Sequence, residues 1–156
     1  IVMFIAVGAL LAITDANRKA NAIRTTMDNL NFAMDSMARN LRTGNGYQCA
    51  GAGNCSSPGG AYIDFQDQNN RSVRYAYDSL EHAITVTRGD INGGLPLAIT
   101  SSEVNVDALT FYVSGYGTDG LQPRVVISIK GTAGNTEKIR TSFNVQTTIS
   151  QRKVDS

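Results

Sequence analysis

Few residues of this 156-residue chain have the types and spacing to do chemistry. It carries one histidine, His82, and two cysteines, Cys49 and Cys55. Two thiols and one imidazole fall short of the four ligands that a structural zinc site takes. A nucleophilic cysteine needs a base, and only His82 is available; beside Glu81 in an expected turn, it reads instead as a solvated loop residue. The cysteines lie in a Gly-rich stretch running from Tyr47 through Gly60, separated by small, flexible residues. That setting fits a local disulfide, which implies an oxidising compartment. In the loop-closure model so short a ring contributes roughly 2–2.5 kcal/mol. Its expected role is to stiffen a loop, not to hold the fold.

Asp90-Ile91-Asn92-Gly93 sets oxygen donors around a Gly turn in the manner of a calcium loop. Asp90 and Asn92 are therefore the candidate metal ligands. Further acids and the closing Glu are absent, and a plain β-turn is the competing reading. Tyr62, Tyr75, Tyr77, Tyr112 and Tyr116 offer the aromatic faces that stack on sugars, although tyrosine is also common in sheets. No Gly-x-Ser-x-Gly elbow, phosphate loop or paired-acid motif occurs. The sequence reads as a non-enzyme with no cofactor.

Composition sets further bounds. With 14 Lys and Arg against 13 Asp and Glu, the net charge is +1, and the charges are scattered singly. Nucleic acid is therefore not expected as a main partner, because tracking phosphates takes a basic stripe. The length suits one domain, or one domain plus an anchor. Abundant Gly, Ser, Thr and Asn suit strands and turns on an exported protein.

The elements that must position these residues begin with a helix over residues 1–44. Ile1 to Ile13 is an unbroken apolar run, and the first charge is Asp15. From Ala16 the apolar residues fall at Ala16, Ala20, Ile23, Met27, Leu30, Met34, Met37 and Leu41, in steps of three and four. That spacing draws one seam along a helix. Asp35 and Arg39 stand four apart, as a weak helical ion pair would, and Arg39 and Arg42 suit the helix C-terminus. Gly44 is the expected left-handed cap. The apolar run is shorter than the about 20 residues needed to span a bilayer. The expectation is a fragment or processed chain whose apolar helix begins further upstream, with an ordinary buried core helix as the alternative. Lys and Arg after the run would then meet lipid head groups, with a solvated helix face as the simple alternative.

Residues 45–156 form the expected head, with a loop over 45–60. From Ala61 the period becomes two. Strands are expected over 61–66, 72–77 and 83–88, making a three-strand meander. Leu97 to Ile99 is an edge or connector, and further strands cover 104–113, 123–130 and 136–149. Alternation throughout predicts an antiparallel sheet with one face covered by the helix. The fold class is α+β. The helix-on-sheet core is expected from Met27, Leu30, Met34, Met37, Leu41, Phe111 and Phe143.

An apolar helix that turns amphipathic, a Gly/Cys loop and an antiparallel β head together resemble the type IV pilin-like superfamily. Met37-Ala38-Arg39-Asn40-Leu41-Arg42-Thr43-Gly44, Val106-Asp107-Ala108-Leu109-Thr110-Phe111-Tyr112-Val113 and Phe143-Asn144-Val145-Gln146-Thr147-Thr148-Ile149-Ser150-Gln151-Arg152 are similar to minor pilins and minor pseudopilins of the J or W type. The superfamily's prepilin peptidase site, and the Glu that follows it, have no counterpart here; in a longer chain both would lie upstream. The resemblance implies a structural subunit of a type IV pilus, competence filament or type II secretion pseudopilus. Its partners would be other pilin or pseudopilin subunits, and the inner membrane before assembly. It implies a single-pass anchor in the bacterial inner membrane, with the head in the periplasm or outside. Ile1, Phe4, Ile5, Leu10, Leu11, Ile13, Ala16, Ala20 and Ile23 would pack against neighbouring helices. A membrane-anchored ligand-binding β-domain, adhesin or lectin-like, is the alternative.

Overall fold

The computed structural model describes residues 2–117, 120–134 and 140–152, without the side chains of residues 2 and 4–6. One helix, α1 (Val2–Thr43), carries a head of nine strands. These are β1 (Asn45–Cys49), β2 (Cys55–Gly60), β3 (Tyr62–Gln66), β4 (Ser72–Asp78), β5 (Ala83–Arg88), β6 (Leu97–Ala98), β7 (Val104–Ser114), β8 (Arg124–Ala133) and β9 (Thr141–Ser150). The α+β class and the long helix on antiparallel strands are as the sequence indicates. The strands form two sheets, not the one expected. A five-stranded sheet runs β1-β3-β4-β5-β6 and a four-stranded sheet runs β2-β7-β8-β9.

The β3-β4-β5 meander holds the register that its alternation demands, with Tyr62 opposite Ala76 and Tyr75 opposite Val86. Ile63, Phe65, Val73, Tyr75, Ile84 and Val86 point inward and are buried. In the second sheet Leu109, Phe111, Val113, Val125, Ile127, Ile129, Phe143 and Ile149 do the same. Leu30, Ala33, Met34, Met37 and Leu41 of α1 complete a single core with both inner faces. The Phe65 and Tyr75 rings stack at 5.7 Å between centroids. The Tyr75 hydroxyl accepts a bond from Asn40 Nδ2 at 2.7 Å, tying α1 to the first sheet. Burial pushes the Tyr75 hydroxyl's pKa up, against the Asn40 bond and the nearby Arg88 charge.

The loop expected over 45–60 is largely strand. Both strands are short and each has a register shift; β2, Cys-Ser-Ser-Pro-Gly-Gly, shows no period of two, and β1 shows it only over Tyr47-Gln48-Cys49. Gly44 also departs from expectation. It is not among the glycines of positive φ, whereas Gly46 is, at 66°. Gly44 is required for space: a Cβ there would lie 2.6 Å from Phe65 Cδ2 and 2.8 Å from the Gln66 carbonyl. The helix ends instead under Tyr47, whose hydroxyl donates to the carbonyls of Leu41 and Gly44. Asp35 and Arg39 form no ion pair among the described residues. The expected start of the last strand, residues 136–139, lies outside the described residues.

Candidate functional site: an uncovered helical stem

The seam on α1 divides at residue 22. Beyond it Thr26, Leu30, Ala33, Met34, Met37 and Leu41 are buried on the head, with Ile23 and Met27 half-buried at the margin. Before it the described side chains of residues 3–21 are all exposed. At 1.5 Å per residue, those nineteen positions carry the helix about 28 Å clear of the head. They include Met3 at 80% exposure, Leu10 at 65%, Leu11 at 61% and Ile13 at 60%. At about 100° per residue Met3, Val7 and Leu10 face away from the side that carries Leu30 and Met37, while Leu11 and Ile13 lie on the two flanks. The stem is therefore apolar on several sides at once.

Water is a poor partner for such a surface. Full burial of each Leu or Ile is worth roughly 1.5–3 kcal/mol, and none of this is gained within the monomer. An all-round apolar helix is stable only when surrounded. Of the packing residues expected from the sequence, Leu10, Leu11, Ile13, Ala16 and Ala20 are exposed on the stem, and Ile23 sits where the head begins. Ile1 and the side chains of Phe4 and Ile5 lie outside the described residues. Phe32 extends the apolar surface onto the head's level at 71% exposure. The apolar seam does not mark it, because Phe32 stands off the seam, about 200° around the helix from Leu30.

The single-pass span that the resemblance implied is not found in α1. Among the described residues no helix is long and apolar enough to cross a membrane. An eighteen-residue window from Val2 already takes in Asp15, Arg18 and Lys19. The single-pass inner-membrane placement is corrected accordingly.

The remaining candidates are scattered over the head. Cys49 and Cys55 are joined in a disulfide. It links β1 of one sheet to β2 of the other, so it holds sheets together where loop-stiffening was expected. Asp90 accepts from Arg71 and from Arg88, at 3.1 Å to Arg88 Nε. Asn92 sits in a short 3-10 turn, Asn92–Gly94. Among the described residues no three His, Cys, Asp or Glu side chains group as a cation site. His82 is exposed, and its Nδ1 lies 3.1 Å from the Tyr77 hydroxyl and 3.3 Å from the Val106 carbonyl.

The tyrosines do not form a common platform. Tyr75 is in the core, the Tyr62 ring is covered by Arg74 at 4.5 Å, and Tyr116 packs beside Gly53. The outer face of the first sheet holds an open groove of about 830 Å³, lined among others by Asp64, Ser72, Arg74, Thr87 and Arg88. Its Arg74 pairs with Asp64 through two bonds, at 2.6 and 2.8 Å. That contact leaves the groove near neutrality. No family model, curated protein or solved structure matches the chain.

Proposed function

We propose that this chain is a structural subunit of a filament, of the minor pilin or minor pseudopilin kind. Its exposed stem packs among the stems of other subunits and its β head faces outward. The observation that carries this reading is the stem itself. An apolar surface on several sides of one helix cannot be satisfied by a single partner helix, which covers one stripe. It takes a bundle of neighbours, and a filament core supplies one. The resemblance of the 37–44, 106–113 and 143–152 segments to minor pilins supports the same reading.

A test is negative-stain microscopy of the chain beside a Leu10→Glu/Leu11→Glu variant. Two charges in a closed helical bundle would each go unpaired, at a cost of several kcal/mol. Elongated assemblies in the parent that are lost in the variant support the proposal. Assemblies unchanged by the substitutions contradict it. A ligand-binding β-domain is a second reading, favoured by the polar groove over Asp64, Arg74 and Thr87. Saturable glycan binding that is lost on Arg74→Ala would select it.

A further inference from the structure

The Asp90-Ile91-Asn92-Gly93 stretch falls short of a calcium loop, but Asn92 and Gly93 have the types and order for a different chemistry. An asparagine side-chain amide is an electrophile, and attack by the nitrogen of the next peptide closes a five-membered ring. Glycine hinders that nitrogen least, because it has no Cβ beside it. Of the asparagines in this chain only Asn45 and Asn92 precede a glycine.

The fold treats these two pairs differently. Asn92 and Gly93 are both exposed, in the short turn Asn92–Gly94, which buries no residue. Asn92 holds a φ of 50° and Gly93 one of 64°, the left-handed region that side chains other than Asn and Asp seldom adopt. Among the described residues no hydrogen bond reaches the Asn92 side chain or the Gly93 N–H. A Cβ placed on Gly93 would meet nothing within 4 Å, so a ring forming there has room. Turning the Asn92–Gly93 peptide would disturb two surface bonds, Gly94 N–H to the Ile91 carbonyl at 2.9 Å and Leu95 N–H to the Asn92 carbonyl at 3.1 Å. Asn45 is half-buried in β1, where it pairs with Gln66. The Gly44 carbonyl just before it accepts from the Tyr47 hydroxyl and from Gln151 Nε2, each at 3.0 Å. Its peptide is held from both sides.

We propose that Asn92 is a site of self-modification, in which the folded chain converts this amide to an acid with water as the only co-reactant. The Gly93 nitrogen attacks Asn92 Cγ. The N–Cγ bond forms, the Cγ–Nδ2 bond breaks, and the Gly93 N–H proton leaves with Nδ2 as ammonia. Water then opens the ring at either carbonyl: its oxygen bonds to that carbon, the bond from that carbon to nitrogen breaks, and the nitrogen takes a water proton. Opening at Cγ gives aspartate, and opening at the main-chain carbonyl gives isoaspartate, whose main chain runs through Cβ and Cγ. Either product puts a carboxylate beside a balanced set, Arg71 and Arg88 against Asp67 and Asp90. The loop thereby becomes net negative. The longer main chain of isoaspartate also shifts Gly94 and Pro96, which line the groove on the first sheet. This inference goes beyond the filament reading and does not depend on the stem.

The test is incubation of the full chain in mildly alkaline buffer made with heavy-oxygen water, followed by tryptic peptide mapping. Cleavage after Arg42, Arg71, Arg88 and Arg124 places Asn45 and Asn92 in different peptides, and fragmentation separates Asn92 from Asn105. In the folded protein Asn92 is expected to convert at least about ten-fold faster than Asn45, which must first open locally. The product should be a mixture of isoaspartate and aspartate, each carrying one heavy oxygen. In urea the two rates should come within about three-fold of each other, because both Asn-Gly pairs are then open. Asn92→Gln should leave position 92 unmodified. Two results would overturn the inference. One is a folded protein in which Asn92 converts no faster than Asn45. The other is a product that is aspartate alone, which marks direct hydrolysis of the side chain without a ring.

Discussion

Asp67 shows how a single side chain can hold two loops. Its carboxylate is buried and accepts from the Asn69 N–H at 2.8 Å, the Arg71 N–H at 3.0 Å and the Arg71 guanidinium at 2.9 Å. Arg71 also reaches Asp90, which joins the 67–71 turn to the loop after β5. Burial alone would raise the Asp67 pKa, but the Arg71 and Asn69 bonds and the Arg71 charge outweigh it and hold it below the ordinary carboxylate value. A carboxylate whose folded pKa is depressed stabilises the fold above its unfolded pKa, about 3.9. That contribution is lost as the pH falls through the folded value. Asp67→Asn should therefore cost roughly 1 kcal/mol at neutral pH and distinctly less near pH 3, read from urea midpoints at the two pH values. An equal loss at both would show that the charge is immaterial. Gly44→Ala tests a steric demand instead. With the Phe65 ring and the Gln66 carbonyl in the way, it should cost roughly 1–3 kcal/mol in thermal or urea unfolding. The sequence marks Gly44 as special at the end of a helix. It does not reveal that crowding by β3, not backbone handedness, is the reason.

At the scale of elements, legibility follows periodicity. The helix and the β3-β4-β5 meander are plain in the sequence because each buries one face at a constant repeat, as Leu30-Met34-Met37-Leu41 and Ile63-Phe65 show. β2 is hidden because Ser, Pro and Gly replace apolar alternation, and β1 because only Tyr47 and Cys49 alternate in it; their places come from pairing with β7 and β3. The division into two sheets was equally hidden, since alternation reports which face is buried and not which neighbour is paired. The disulfide changes meaning in that light. Cys49 is buried and Cys55 is half-buried, and the bridge joins strands of different sheets. The Cys49→Ser/Cys55→Ser variant should lose roughly 2–2.5 kcal/mol of stability to urea. It should also speed amide exchange in β1 and β2 ahead of the β7-β8 ladder. Uniform acceleration across all strands would argue against a local staple.

For the whole molecule, the governing fact is imbalance. The head satisfies itself with one core, while the stem before residue 22 exposes Met3, Val7, Leu10, Leu11 and Ile13. The stem is legible in the sequence because the change from all-round apolarity to a single stripe is written between Ile13 and Ala16; the point near Ile23 where the stripe meets the head is not, because its spacing continues unchanged through it. The bilayer span expected as its cover fails, since Asp15, Arg18 and Lys19 arrive too early for the described helix to span a bilayer. Neighbouring stems are the cover that the proposed account requires. The most direct measurement is analytical ultracentrifugation of the full chain over a concentration series, beside the Leu10→Glu/Leu11→Glu variant. The account predicts association that grows with concentration in the parent and is lost in the variant, with the head's fold intact by circular dichroism. A parent that stays monomeric throughout, or a variant that associates equally well, would contradict it.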